Sequence, residues 1–376
     1  MSSAGPISWC PIERIDELTR FVDMHWRQGH ILARDADLVR WQYRNLADPT
    51  SLSVLIAEQD DQIVGILGLI QNDLNDHGRR HLGLVLATWV VIEAARRHAV
   101  GLRLLRRAIA LLFQYVGVFG INQAATRIFD GLHFHVWDRV PRLARGFSPA
   151  ALDDLLAAGG ADYFAVAHDA WASTASFKLK TRSRNHFELR DWESCGDATW
   201  DRYWTGRAAP QQRGTWRDAA HLRWRYLRHP RFQYHVRVAC RRGTDEVVGL
   251  LAYRLADVAD RAERVLRVVE FLATEEAAQE FLAGEVCRVG EVEAVAFADF
   301  YCTSPGLVRG LEVAGFQREA DMPAHLPSLF QPLDFRRSSL TAAAWVDRTL
   351  GDAGAGYFAG DDVYFTRSDG DQDRPN

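Results

Sequence analysis

The chain of 376 residues has no hydrophobic run long enough to cross a bilayer. Its longest apolar stretch, G-L-V-L-A-T-W-V-V-I from Gly83, falls far short of the ~20 residues that a membrane-spanning helix needs. The opening M-S-S-A-G-P-I-S-W-C lacks the basic start and apolar core of a secretory signal. Cysteine is scarce: Cys10, Cys195, Cys240, Cys287 and Cys302 are odd in number, scattered, and nowhere form C-x-x-C. That spacing argues against a disulfide framework or a cysteine zinc site and suits reduced thiols. An excess of basic charge is missing too. With a net charge of −4 the sequence offers no general affinity for nucleic acid or anionic membrane. What remains is a globular composition, 48% apolar and 25% charged, on a length suited to two domains with separate cores. The expectation is a cytoplasmic protein without membrane insertion.

What the sequence does have is a repeat. Residues 34–43 read R-D-A-D-L-V-R-W-Q-Y and residues 217–226 read R-D-A-A-H-L-R-W-R-Y, which places Trp41 and Trp224 183 residues apart. Ala57 and Ala239 are 182 apart, Gly65 and Gly249 184, and Phe134 and Phe316 182. Four landmarks in one order at one offset indicate a duplicated domain, because the period far exceeds the ~20–50 residues of a solenoid unit. The copies divide the chain into 1–180 and 181–376, with the crossover in the polar, basic stretch 170–190.

Each copy reads as mixed α/β. In the first, helical spacing covers 11–28 and 35–45, and Asp35 or Asp37 suits the cap of the second helix. S-V-L-I-A-E and I-V-G-I-L-G-L-I flank an acidic turn as a hairpin. The run from Gly83 is apolar throughout, as in a strand buried on both faces. A loop, E-A-A-R-R-H-A-V-G, leads into an amphipathic helix with Arg103, Arg106 and Arg107 on its outer side. A strand, a short helix and a last strand F-H-V-W-D-R-V follow. The second copy repeats the frame, with a helix at 218–228, strands at 234–240, 246–254 and 265–273, a helix at 275–286, then strand, helix and closing segment.

The loop after the long strand carries the candidate chemistry. A strand, a short loop and a helix N-terminus aim consecutive backbone N–H groups, backed by the helix dipole, at a phosphate or pyrophosphate. Ala99 and Gly101 let such an anion approach the backbone, and Arg96 and Arg97 add positive charge. In this context Arg96-x-x-Ala99-x-Gly101 resembles the acyl-CoA loop of the GNAT superfamily of acyltransferases, Q/R-x-x-G-x-G/A, with Ala99 replacing the first glycine. N-Q-A-A-T-R-I-F-D-G-L-H-F resembles the same family's N-x-x-A-x-x-x-Y-x-x-x-G-F element. The resemblance spans essentially both halves and implies two tandem GNAT-like domains, an acyl-CoA cosubstrate and no metal. It further implies that the backbone of Val91, Ile92 and Glu93 and the segment Arg96, Arg97, His98, Ala99, Val100, Gly101 and Leu102 hold the pantetheine and pyrophosphate, with Asn122 alongside. Phe129 stands where many members carry the tyrosine that protonates the departing thiolate, so that proton comes from elsewhere or is not needed.

The second copy lacks this loop. Between Phe271 and Val286 the helix start has neither arginine nor glycine, and Glu275 and Glu276 sit where they would repel a diphosphate. Only 1–180 is therefore expected to bind CoA, with 181–376 as the acceptor-side wall of an interdomain cleft. The R-D-x-x-x-L-R-W-x-Y element and the acidic tail D-G-D-Q-D-R-P make the chain similar to bacterial GNAT enzymes that acylate nucleotide-linked amino sugars for surface polysaccharides such as O-antigen. Tandem-GNAT aminoacyl transferases for peptidoglycan precursors are the second resemblance, without their coiled-coil arm or basic surface. A non-catalytic CoA-binding scaffold is the third reading, and Phe129 is its best argument.

For the proton on the acceptor amine, the candidate base is Asp299, in the apolar strand A-V-A-F-A-D-F-Y-C near the end where α/β sheets gather ligands. Burial there would raise a carboxyl toward the useful range. Glu93 is the second candidate, and Tyr301 a donor to the thiolate. Trp41, Tyr43, Trp224 and Tyr226 persist in the copy without the loop and so read as packing of helix on sheet. His133 and His135 form H-x-H with no third metal ligand to place, and His25 and His30 suit either the acceptor pocket or a solvated loop. No cysteine pairs with a histidine base, so direct attack in a ternary complex is expected rather than an acyl-enzyme. The tail 361–373 reads most simply as a solvated terminus, with folding over the cleft as the alternative.

Overall fold

The structure, a computed structural model, describes residues 5–175, 186–335, 340–350 and 356–373; the middle of the expected crossover, 176–185, lies outside them. Two seven-stranded sheets organise the chain. The first runs, in spatial order, Ile7–Pro11, Ser51–Gln59, Gln62–Gln71, Gly83–Val91, Tyr115–Phe119, Leu340–Val346 and His135–Val140. Helices Ile15–His25 and Ala36–Gln42 pack one face and Val100–Ile109 the other, which is why its central strands are apolar throughout. The second runs Phe187–Asp191, His235–Arg241, Val247–Asp257, Arg264–Ala273, Phe297–Tyr301, Arg142–Gly146 and Gln317–Arg318. The mixed α/β architecture is thus present in duplicate. Among the described residues no helix is long and apolar enough to cross a membrane.

The two sheets exchange their last strands. Leu340–Val346, from the second half, lies between Tyr115–Phe119 and His135–Val140, antiparallel to both. Arg142–Gly146, from the first half, lies between Phe297–Tyr301 and Gln317–Arg318, again antiparallel to both. A cut at residue 180 therefore separates the repeats in sequence while leaving each sheet without an internal strand. The apolar pattern of a strand is the same whichever sheet receives it, so the exchange leaves no mark in the sequence.

A pseudo-two-fold axis runs between the halves. Trp41 and Trp224 stack on one another with ring centroids 5.2 Å apart. Each indole N–H donates to the other residue's backbone carbonyl, at 3.2 and 3.4 Å. Reciprocal contacts of this kind are the signature of an isologous interface. The repeated tryptophans pack on each other across the axis rather than each on its own sheet.

The exchanged strand Arg142–Gly146 is pinned by buried charge. Arg142 donates to Asp299 at 2.7 Å and to Glu319 at 2.6 Å, and Arg267 reaches Asp299 at 3.3 Å. This corrects the assignment of Asp299 as a base. Burial works against its ionisation, but Arg267 and Arg142 outweigh it and hold the carboxyl well below the usual range. A carboxylate so strongly stabilised does not abstract a proton. Tyr301 is buried beside the same cluster, between the Arg142 and Arg367 guanidiniums.

The C-terminal segment is not solvated. Arg217 binds Asp369 at 2.7 Å and Glu270 at 2.8 Å, and all three side chains are buried. Arg225 and the Tyr234 hydroxyl both donate to Asp373, the latter at 2.6 Å. The acidic residues that suggest a solvated tail are the counter-ions of buried arginines.

Two outcomes follow. A fragment ending at residue 180 lacks the strand between Tyr115–Phe119 and His135–Val140 and will not fold; a monodisperse fragment with native-like circular dichroism would contradict the exchange. Asp299→Asn removes one partner from a buried ion cluster and will cost about 3–5 kcal/mol in denaturant unfolding. Because the carboxyl is held low, that loss is full above the ordinary aspartate pKa of about 4 and shrinks as pH falls below it.

Candidate active site

The site begins where two strands of the first sheet part. Gly83–Val91 and Tyr115–Phe119 are parallel partners only from Gly83/Tyr115 to Leu86/Val118. One residue later a bulge interrupts the other edge of Gly83–Val91: Ala87 pairs with Gly68 and Trp89 with Leu67, which leaves Thr88 as the extra residue. Thr88 takes a left-handed φ of 49°. The Tyr43 hydroxyl holds it there with a 2.6 Å hydrogen bond to Oγ1. The two strands diverge past this point and open a cleft.

The predicted loop closes one end of that cleft. Glu93–Arg96 forms one helical turn, and the Arg96 Nε–H donates back to the Val91 carbonyl at 3.2 Å. Ala99 then turns into the left-handed region (φ 53°) as the residue before helix Val100–Ile109. This is the conformation for which a glycine is preferred, and alanine costs roughly 1–2 kcal/mol there. Gly101 lies in the first helical turn over Trp89, where a Cβ would sit 3.3 Å from the indole. The loop thus presents a ten-residue helix's N-terminus beside the cleft, with Arg96 and Arg97 exposed next to it. Asn122 caps helix Gln123–Gly131 across the cleft through a 2.9 Å bond from the Ala125 N–H.

Between these parts lies a cavity of about 520 Å³. Leu86, Val118, Phe119 and Phe129 form its apolar side. Phe129 is buried against Trp89 and Phe134 and has no proton to give. Trp26, Arg27 and His30 border it from the first helices, and the His30 Nδ1 accepts the Leu32 N–H at 3.2 Å. The remaining wall comes from the second half: Leu329, Asp334, Asp371 and Gln372. Gly120, at φ 75°, leaves room for the Gln372 side chain, which a Cβ there would strike.

The second half opens in the same way and is then filled. Arg264–Ala273 and Phe297–Tyr301 pair in parallel only as far as Arg267/Asp299, and a bulge leaves Val269 as the extra residue. Tyr364 occupies the gap. Its hydroxyl accepts the Phe271 N–H at 3.1 Å and donates to Glu270 at 2.9 Å. Beyond it, Glu275 precedes helix Glu276–Val292 and is paired with Arg241 at 2.7 Å. A backbone donor of the kind the cleft would offer a ligand is spent on the chain itself.

Of the residues singled out from sequence, Asn122 borders the cavity, while Val91 to Leu102 follow the lining residue Trp89 along the strand end, the turn and the start of the helix and do not line it. Glu93 is exposed on the loop and does not border the cavity. Asp299 and Tyr301 lie in the second half's core. Sequence reasoning missed Trp89, whose buried indole N–H has no partner among the described residues, and the tail residues Asp371 and Gln372. The only signal for the tail was its acidity, which reads equally as solvation.

Residues 18–134 match the model of the acetyltransferase (GNAT) family. No curated protein matches the chain. Among solved structures it is similar to a GCN5-related N-acetyltransferase from Kribbella flavida, at 16% identity and TM-score 0.55 over 92% of this chain and 71% of that one. A probable N-acyltransferase from Enterococcus faecalis gives 11% identity and TM-score 0.55 over 90% and 71%. Saccharomyces cerevisiae N-myristoyltransferase with bound myristoyl-CoA gives 9% identity and TM-score 0.52 over 92% and 78%. At these identities the likeness is one of fold. The family match falls on the half with the open cleft.

Calorimetry with acetyl-CoA will give one site per chain, and Gly101→Asp, which sets a carboxylate at the helix N-terminus, will abolish it; two sites would refute the plugged second cleft. Ala99→Gly relieves the left-handed alanine and will raise unfolding stability by about 0.5–1 kcal/mol with CoA binding intact.

Proposed function

We propose that the first half binds one acyl-CoA in its open cleft, and that the chain transfers a short acyl group directly to the amine of a nucleotide-linked sugar held against the second half's wall. The observation that carries this reading is the asymmetry of the duplication: one cleft is open near a helix N-terminus flanked by Arg96 and Arg97, and the other is filled by Tyr364. Direct transfer is supported by the chemistry of the cavity wall, which among the described residues includes no cysteine or serine to carry an acyl-enzyme. The loop amides hold the CoA diphosphate, the parted strands receive the pantetheine arm, and the thioester meets the acceptor in the cavity. A nucleotide-linked amino sugar is supported by the mixed charge there, since Asp334 and Asp371 suit an ammonium and Arg27 a phosphate. The sequence resemblance to surface-polysaccharide enzymes points the same way. Aminoacyl transfer to a peptidoglycan precursor and a non-catalytic scaffold are the competing readings.

Thiol release from acetyl-CoA, measured with free amino sugars, nucleotide-linked amino sugars and amino-terminal peptides, separates these. Release with nucleotide-linked sugars at a kcat/KM well above that of the free sugars is expected. Release only with peptides, or none with any amine, would refute the assignment.

A further inference from the structure

The two halves enclose a second space, an open groove of about 680 Å³ that shares no lining residue with the reaction cavity. Residues 41–80 supply one wall and residues 197–228 the other. Gln71 of the groove pairs with Leu84 near the start of strand Gly83–Val91, whereas the cavity opens around Leu86 to Trp89 further along it. The groove's volume falls in the range of about 300–1,000 Å³ typical of small-molecule sites.

Its charges are not all paired. Four arginines and four aspartates border it. Arg80 is bound to Asp73 at 2.8 Å and to Asp218 at 3.2 Å, and Arg223 to Asp197 at 2.6 Å. Asp201 accepts the Ala219 N–H at 2.7 Å, and burial raises its carboxyl above the ordinary aspartate value. Arg44 and Arg228 have no acidic partner among the described residues. The Arg44 guanidinium lies 4.4 Å from the centre of the Trp224 ring. Packing there strips part of its hydration and pulls its pKa down, with no carboxylate to offset the loss. A guanidinium held in this way presents a planar set of donors to a ligand's anion.

The groove also borders polar atoms that lack partners. Asn72 is buried and donates its amide to the Thr215 hydroxyl at 3.2 Å and to the Asp369 carbonyl at 2.9 Å. Its Oδ1 has no donor among the described residues, and the buried Nε2 of His221 has no partner there either. Burial, with the charges of Arg217, Arg225, Arg44 and Arg80, keeps the His221 ring neutral, so it pairs with a donor or an acceptor according to its tautomer. Buried polar atoms without partners cost stability, and these two favour a ligand edge that carries hydrogen-bonding groups. Trp41, Trp216 and Trp224 add flat apolar surface beside them.

We propose that this groove is a binding site for a nucleoside phosphate, with the phosphate on Arg44 and Arg228 and the base against Trp216, its edge meeting Asn72 and His221. A nucleobase is flat and bears donors and acceptors along its edge, so one group serves both the stacking surface and the unpartnered atoms. Inorganic phosphate would use the charge alone, and a bare nucleoside the ring alone. The site is independent of the acyl-transfer reading. Because both halves line it, a bound nucleotide ties them together and raises their joint stability.

Calorimetry on the full chain with uridine diphosphate, uridine and inorganic pyrophosphate, each with acetyl-CoA at saturation, tests the site. Uridine diphosphate will bind at least about tenfold more tightly than uridine or pyrophosphate, because charge and stacking act together. Arg44→Ala will weaken that binding by roughly 10–100-fold, the loss of a charge-assisted contact, while acetyl-CoA affinity holds. Arg228→Ala and Trp216→Leu will weaken it less, and thermal unfolding without nucleotide checks that each variant folds. Arg27→Ala, in the reaction cavity, will leave the site unchanged. No binding by the wild type, or binding that survives both Arg44→Ala and Arg228→Ala, overturns the groove site. Pyrophosphate bound as tightly as uridine diphosphate overturns the nucleoside assignment. A nucleotide lost with Arg27→Ala and kept with Arg44→Ala belongs to the reaction cavity, which overturns the groove site and leaves the acyl-transfer reading in place.

Discussion

The hydrogen-bond ladders on both edges of Leu340–Val346 tie the end of the chain to the first sheet. Each ladder bond is worth only about 1 kcal/mol net, but the strand is internal, so losing it would break the sheet in two. This constraint decides where the rest of the C-terminal segment can go. The strand runs antiparallel to Tyr115–Phe119, so the chain leaves it at Val346 beside Tyr115, at the end where the first half's central strands are still paired. From there residues 356–373 cross the second half's gap, where Tyr364 fills it, and return to the first half's cavity with Asp371 and Gln372. One segment thus closes one cleft and completes the other.

Charge makes that path unique. Fully buried arginines are tolerated only with partners, and here the partners arrive from distant parts of the chain. Arg142 carries the exchanged strand to Asp299 and Glu319, while Arg217 and Arg225 receive Asp369 and Asp373. Among the described residues, a tail without these carboxylates would leave Arg217 with Glu270 alone and Arg225 with no acidic partner. Acidity in this tail is an address within the fold. The divergence of the two copies follows as well: once the second cleft is filled by the chain itself, nothing holds its loop to an anion-binding form, and Glu275 is paired with Arg241.

Most elements were legible in the sequence because period and turn chemistry are local. The hairpin, the long strand, the loop, the helix behind it and the repeat itself all stand where the pattern places them. The turn from Arg96 to Ala99 and the helix that starts at Val100 were legible for the same reason, since they are contiguous in the chain. What failed was non-local. Asp299 reads as a buried carboxyl that burial would make basic, but the Arg142 that helps reverse this comes from the first half, on the strand exchanged into the same sheet. The cavity wall at Asp371 depends on a chain path that no spacing encodes. Trp41 and Trp224 read as packing of each helix on its own sheet, and the structure shows that they pack on one another.

The central claim is that the first half's cleft alone takes CoA, and that the second half's tail closes it. Hydrogen exchange with and without acetyl-CoA tests this most directly. The account predicts added protection at residues 88–102, at 120–126 and at 369–373, with 269–280 unchanged. Protection at 269–280, or a tail that exchanges identically in both conditions, would contradict it.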